Sequence, residues 1–184
     1  KDAGVEIAMF EGITAGDKDF SSLVTKLKQA DVDYVYYGGY HPELGLILRQ
    51  ADSAGLDARF MGPEGVGNKD INSIAGDAAE GLLVTLPPSF DEKEENQALV
   101  EAFKAKGEDP SGPFVLTSYT AVKLIADGIE KAGSTDPFDV AAALREGSFS
   151  TPIGEVAYDE AGDMKSFEFV VYEWHSDGSK TPVN

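Results

Sequence analysis

Cysteine is absent from these 184 residues, which excludes disulfides, thiolate metal sites and a cysteine nucleophile. Histidine is scarce. The two present, His41 and His175, stand in no H-x-x-x-H or H-x-x-E-H spacing, so nothing patterns a transition-metal site. Basic residues are also few: 15 Lys and Arg face 33 Asp and Glu, a formal charge of −18. Acid outnumbers base in both halves of the chain, so neither is a basic arm. This disfavours nucleic acid as a partner, because tracking a phosphate backbone demands basic patches, and disfavours docking on anionic lipid. No apolar run approaches the ~18 residues of a membrane span, so no direct membrane insertion is expected. No cationic segment leads into an apolar stretch, so no signal peptide is read in this chain. Catalytic signatures are missing as well. Gly12–Lys18 lacks the G-K-[ST] ending of a P-loop, Gly62-x-x-Gly65-x-Gly67 has the wrong order for a dinucleotide fingerprint, and no G-x-S-x-G elbow is present. Carboxylates are so abundant that no single pair of them points to glycoside chemistry.

Apolar residues make up 42% of the chain, enough for a packed core. The first 86 residues repeat one unit. Val5–Phe10 reads as a strand. Asp17 and Asp19 offer N-cap oxygens, and Phe20, Leu23, Val24, Leu27 and Ala30 follow at helical spacing. Tyr34–Tyr37 is a second strand. Pro42 opens a helix with Leu44, Ile47, Leu48, Ala51 and Ala54 on its apolar face and Gly55 at the stop. A strand at Arg59–Met61, a short helix at Asp70–Ala75 and a strand at Gly81–Leu86 complete the βαβ rhythm, which implies a parallel sheet. After Pro87-Pro88 the pattern changes. Ser89–Asn96 is acidic and aperiodic, an exposed connection. Three helices follow: one around Leu99, Val100 and Phe103, one from Phe114 to Ala132 with Val115, Tyr119, Val122, Ala126 and Ile129 as its stripe, and one over Pro137–Glu146. Gly154–Tyr158 and Phe167–Trp174 read as a hairpin, with Trp174 packed within it. Residues 87–165 hold apolar helix faces and almost no sheet to receive them, so either they pack as a small helical cap or their sheet lies in another part of a longer chain, the second being favoured.

Ligands of parallel α/β sheets bind outside the carboxyl ends of the strands. That rule selects Gly12–Gly16, Gly38-Gly39-Tyr40-His41 and Gly62-Pro63-Glu64-Gly65-Val66-Gly67. Glu64 is the leading candidate. A carboxylate enclosed there needs a cation or donors, and a ligand ammonium supplies both. The competing reading is a solvated loop acid that caps the following turn. Tyr40 offers an apolar face and a phenolic donor to a small ligand. Its competing reading is packing beneath the following helix. His41 reads as a loop residue, and Asp91–Glu95 as a solvated charged segment.

Several ordered blocks carry a resemblance: Phe10–Phe20, Tyr36-Tyr-Gly-Gly-Tyr-His-Pro-Glu43, Leu48-Arg-Gln-Ala51, Phe60-Met-Gly-Pro-Glu-Gly-Val66, Ile74–Gly81, Asp109-Pro-Ser-Gly112 and Trp174-His-x-x-Gly178. Together, end to end, the chain resembles the periplasmic leucine/isoleucine/valine (branched-chain amino acid) binding proteins of bacterial ABC transporters. The resemblance implies an α/β type I periplasmic binding fold: two lobes, each a parallel sheet flanked by helices. It implies that the chain is the later half of such a protein. Residues 1–86 would be the C-terminal lobe without its first strand and helix, 87–166 the returning part of the N-terminal lobe, and 167–184 the crossing back. Carried over by position, the family's ammonium-binding glutamate falls on Glu64, its ligand-facing tyrosine on Tyr40, and an aromatic near the ligand side chain on Phe114. The hydroxyls and amides that grip the ligand carboxylate, and a further tyrosine, would lie in the missing N-terminal half. The implied activity is capture of a small amino acid by hinge closure, without catalysis, cofactor or metal, and delivery to a membrane ABC permease from the periplasm. An amino-acid-sensing regulator, an enzyme or an engineered sensor fragment on the same fold is the alternative.

Overall fold

Short-range chemistry accounts for most elements of the first 86 residues. The computed structural model describes residues 4–183. Asp19 Oδ1 accepts from the Ser21 hydroxyl at 2.7 Å and the Ser21 N–H at 3.0 Å, at the start of α1 (Ser21–Gln29). These two bonds hold the Asp19 carboxyl below its ordinary range. Phe20, Val24 and Leu27 are buried. After β1 (Tyr34–Tyr36) comes α2 (His41–Ser53), with Pro42 in the first turn, where no intrahelical N–H is lost. Leu44, Ile47, Leu48 and Ala51 are buried at the spacing of one helix face. Gly55, at φ +64°, takes the left-handed step that ends the helix. β2 (Arg59–Gly62), α3 (Asp70–Ala75) and β3 (Leu82–Leu86) follow. β1, β2 and β3 pair in parallel, with Val35 beside Phe60 and Gly62 beside Val84. Leu44, Val66, Ile71, Val84 and Leu86 are fully buried in one core. Truncating such a residue to alanine costs about 2–5 kcal/mol.

The next segment builds α4 (Gln97–Lys104), α5 (Val115–Ala132), α6 (Pro137–Arg145), β4 (Ser148–Thr151) and β5 (Gly154–Ala157). Asp136 Oδ1 accepts from the Phe138 N–H at 2.9 Å and caps α6, with Pro137 as its first residue. Gly128 lets α5 approach α6: a Cβ there would stand 3.0 Å from Leu144 Cγ and 3.1 Å from Val140 Cγ1. Asn96 is buried and donates from Nδ2 to the Phe90 carbonyl at 2.7 Å and the Pro152 carbonyl at 2.8 Å. The acidic stretch expected as a plain connection is therefore partly ordered into 3₁₀ turns held by this amide.

The chain then returns. β6 (Val170–Trp174) pairs antiparallel with β3, placing Tyr172 opposite Val84, and β7 (Lys180–Pro182) pairs with β6. The sheet runs β1-β2-β3-β6-β7, so it is mixed, with a parallel half and an antiparallel half. By packing, the chain divides into two compact units: the chain up to Leu86 together with the chain from Val170, and Pro87–Phe169. Among the described residues no helix is long and apolar enough to cross a membrane.

Three expectations are corrected. The hairpin of Gly154–Tyr158 and Phe167–Trp174 does not form: β5 pairs with β4, and β6 with β3. Alternation specifies which face of a strand is buried but not its partner, and β3 offers an edge on which Tyr172 and Trp174 reach the core. Val5–Phe10 is no strand. It pairs with nothing among the described residues, and Val5 and Phe10 are 68% and 94% exposed. The stripe of α5 is also different. Leu116, Thr120, Leu124 and Gly128 face inward, while Tyr119 and Val122 are exposed, because this helix is apolar on more than one side and α6 packs on the Gly128 side.

Candidate functional site

Two of the three glycine loops stand at the carboxyl ends of β1 and β2. Tyr37 continues β1, its N–H donating to the Met61 carbonyl at 2.8 Å. The chain then turns through Gly38 and Gly39 to Tyr40, which precedes α2 in extended backbone, φ −114° and ψ 166°. Gly39 is required by packing: a Cβ there would stand 2.6 Å from Cζ of Tyr37 and 2.9 Å from its Cε1. Burial, and then the charge of Glu43, push the Tyr37 phenol above its ordinary value.

After β2, Glu64 opens a short 3₁₀ turn, Glu64–Val66. Its backbone carbonyl accepts from the Gly67 N–H at 3.0 Å. The residue is half-buried, and its carboxylate makes no hydrogen bond or ion pair among the described residues. The two loops touch at Gly65, where a Cβ would stand 3.0 Å from the Gly39 carbonyl oxygen, 3.2 Å from Tyr40 Cδ1 and 3.4 Å from Tyr40 Cε1. The structure thus sets the Tyr40 ring against Gly65, the residue next to Glu64. The Tyr40 ring is 71% exposed, so it is not packed beneath α2. An aromatic face beside an acid without an internal partner suits a small ligand carrying an ammonium and an apolar group.

Gly12–Gly16 follows no strand, yet it adjoins the second loop, because the Gly16 N–H donates to Glu43 Oε1 at 2.8 Å. Phe114 lies in the other unit, directly before α5, and is 51% exposed. Tyr37 and Glu43 escape sequence reasoning. Their signals are an aromatic directly before Gly-Gly at a strand end, and an acid three residues after Tyr40 in the first turn of a helix.

One group of side chains could offer three ligand atoms to a metal: Glu80, Glu173 and His175, within 4.8 Å of one another. These atoms already have partners. His175 Nδ1 lies 2.9 Å from Glu80 Oε1 and its Nε2 3.0 Å from Thr181 Oγ1. The Ser176 N–H donates to Glu80 Oε2 at 2.8 Å, and Arg59 Nη2 to Glu173 Oε2 at 2.6 Å. The hydrogen bond between them raises the His175 pKa and lowers that of Glu80. The group fastens β6 and β7 to the approach to β3. His41 is the first residue of α2, and Trp174 is a buried core residue.

Comparison with known proteins adds the wider context. The chain is 62% identical over 183 residues to the leucine-, isoleucine-, valine-, threonine- and alanine-binding protein of Pseudomonas aeruginosa, covering 100% of this chain and 49% of that protein. Among solved structures, a leucine-binding protein from Thermotoga maritima superposes with a TM-score of 0.81 at 30% identity, covering 94% of this chain and 49% of that one. A type 1 periplasmic binding protein from Bordetella pertussis gives a TM-score of 0.76 at 23% identity, covering 93% and 51%, and shows the fold alone. The chain spans about half the length of the curated relatives it matches. Residues 1–179 match the family of periplasmic binding proteins. The chain therefore belongs to the periplasmic binding protein family and has the α/β fold of its type I members.

Proposed function

We propose that this chain is the later half of the solute-binding component of an ABC transporter, and that the whole protein captures a branched-chain aliphatic amino acid. The observation that carries this reading is the half-buried Glu64, its side chain without a partner among the described residues, on a loop whose Gly65 packs against the exposed Tyr40 ring. A zwitterionic amino acid supplies an ammonium for Glu64 and an apolar side chain for Tyr40 and Phe114. The names of relatives support the substrate class: the Pseudomonas protein for five aliphatic or small amino acids, a Salmonella typhimurium protein at 50% identity for leucine.

Under this reading, residues 1–86 and 167–184 belong to the C-terminal lobe and 87–166 to the N-terminal lobe. The groups that grip the ligand carboxylate come from the half that precedes this chain. The activity is capture and release by hinge closure rather than turnover. The protein works in the periplasm, and its closed form is recognised by a membrane permease. Calorimetry on the full-length protein with leucine, isoleucine and valine tests the site. Glu64→Gln is expected to weaken binding by at least ~1 kcal/mol, about fivefold, for loss of a charged hydrogen-bond partner. Unchanged affinity refutes the assignment.

A further inference from the structure

Neither Tyr40 nor Glu64 holds its own loop in place. Tyr40 is largely exposed, and the half-buried Glu64 side chain makes no hydrogen bond or ion pair among the described residues. What fixes both is one stack of contacts. The Tyr37 ring covers Gly39 so closely that any side chain there would have to displace it. The Gly39 carbonyl and the Tyr40 ring then rest on Gly65, the residue next to Glu64. The end of the Tyr37 ring lies against the Gly39 backbone, directly before Tyr40. Below, Tyr37 is anchored by its own N–H on Met61 and packs against the core under α2.

We propose that Tyr37 is a positioning residue of the ligand site: its ring and phenol oxygen set the Gly38-Gly39-Tyr40 turn, and through Gly65 they set the distance between the Tyr40 ring and the Glu64 carboxylate. This rests on the ligand site assigned above. The phenol oxygen is the informative atom. Tyr37→Phe keeps the ring over Gly39 and removes only the oxygen that packs on the turn. The Tyr40 turn then gains freedom that ligand binding must remove.

The test is a double-mutant cycle in the full-length protein, reading amino-acid affinity by calorimetry and stability by thermal unfolding. Tyr37→Phe is expected to weaken binding about three- to tenfold, because a looser turn must be ordered on binding, with an unchanged melting temperature. In a Tyr40→Ala background the same substitution is expected to have no further effect, because Tyr37 acts through Tyr40. A merely structural tyrosine would lower the melting temperature and give the same loss with or without Tyr40. That additive result overturns the proposal, as does unchanged affinity in Tyr37→Phe when Glu64→Gln weakens binding. If Glu64→Gln and Tyr40→Ala both leave affinity unchanged, the ligand site itself is wrong and the role of Tyr37 falls with it.

Discussion

Asn72 offers a sharp test of how the returning segment is held. Its side chain makes three hydrogen bonds across about a hundred residues of sequence. Oδ1 accepts from the Trp174 indole N–H at 2.8 Å, and Nδ2 donates to the carbonyls of His175 and Ser176, each at 3.0 Å. Trp174 is 3% exposed, so no water stands ready to replace the lost acceptor. In Asn72→Ala, two carbonyl bonds at the edge of the turn cost about 1 kcal/mol together, since water reaches that side. Stranding the buried indole N–H costs about 1–3 kcal/mol more. The total is about 2–4 kcal/mol, or roughly 4–16 °C in melting temperature for a chain of this size. Asn72→Asp keeps the acceptor but turns a carboxylate oxygen toward two carbonyls, and is expected to lose as much or more. Trp174 is the single tryptophan of the chain, so urea unfolding followed by its fluorescence reads the affected contact directly. If Asn72→Ala shifts the unfolding free energy by less than about 0.5 kcal/mol, these bonds do not hold the segment.

Two further outcomes follow from the packing and the charges. Thr120 is 1% exposed and its hydroxyl finds no partner among the described residues, so Thr120→Val is expected to be neutral or to stabilise by up to about 1 kcal/mol. A loss above that size in urea unfolding would show that the hydroxyl is bonded. The His175–Glu80 pair gives a pH dependence. The His175 pKa is raised above 6.5, chiefly by its hydrogen bond with Glu80, so this contribution is complete below about 6.5 and is lost as pH rises through the raised value. The Glu80 pKa is lowered below 4.5, chiefly by the bond with His175, so that contribution is complete above about 4.5 and is lost as pH falls through the lowered value. The stability difference between the wild type and His175→Gln is therefore expected to be largest between about pH 4.5 and 6.5. Arg59, Glu173 and Asp177 surround the pair. A difference that stays constant from pH 5 to pH 9 would sink the argument.

The elements legible in the sequence are those whose cause is local. Leu44, Ile47, Leu48 and Ala51 with Pro42 and Gly55 announce α2, and Asp70–Ala75 is found where the spacing puts it. The loops at the ends of β1 and β2 follow from strand order, so Tyr40 and Glu64 could be chosen before any coordinate. Pairing was illegible where it is non-local. β6 lies about ninety residues after β3, and nothing in Val170–Trp174 says that Leu82–Leu86 is its partner rather than Gly154–Ala157. α5 misled because both its faces are apolar. Tyr37 stayed hidden because an aromatic ending a strand reads as core, and only the space above Gly39 shows what it supports.

The insertion of β6 beside β3 has a consequence for the order in which the chain is made. β3 emerges from the ribosome with one edge open, and the strand that closes it is made only after the eighty-odd residues of Pro87–Phe169. At about 5–20 residues per second that is roughly 4–17 s of translation. During that interval Leu82, Val84 and Leu86 can pair on the β2 side alone, while Pro87–Phe169, continuous in sequence, is free to collapse first. Synthesis in this direction leaves an open apolar strand edge waiting, and a slowed ribosome between residues 87 and 169 would lengthen its exposure to aggregation.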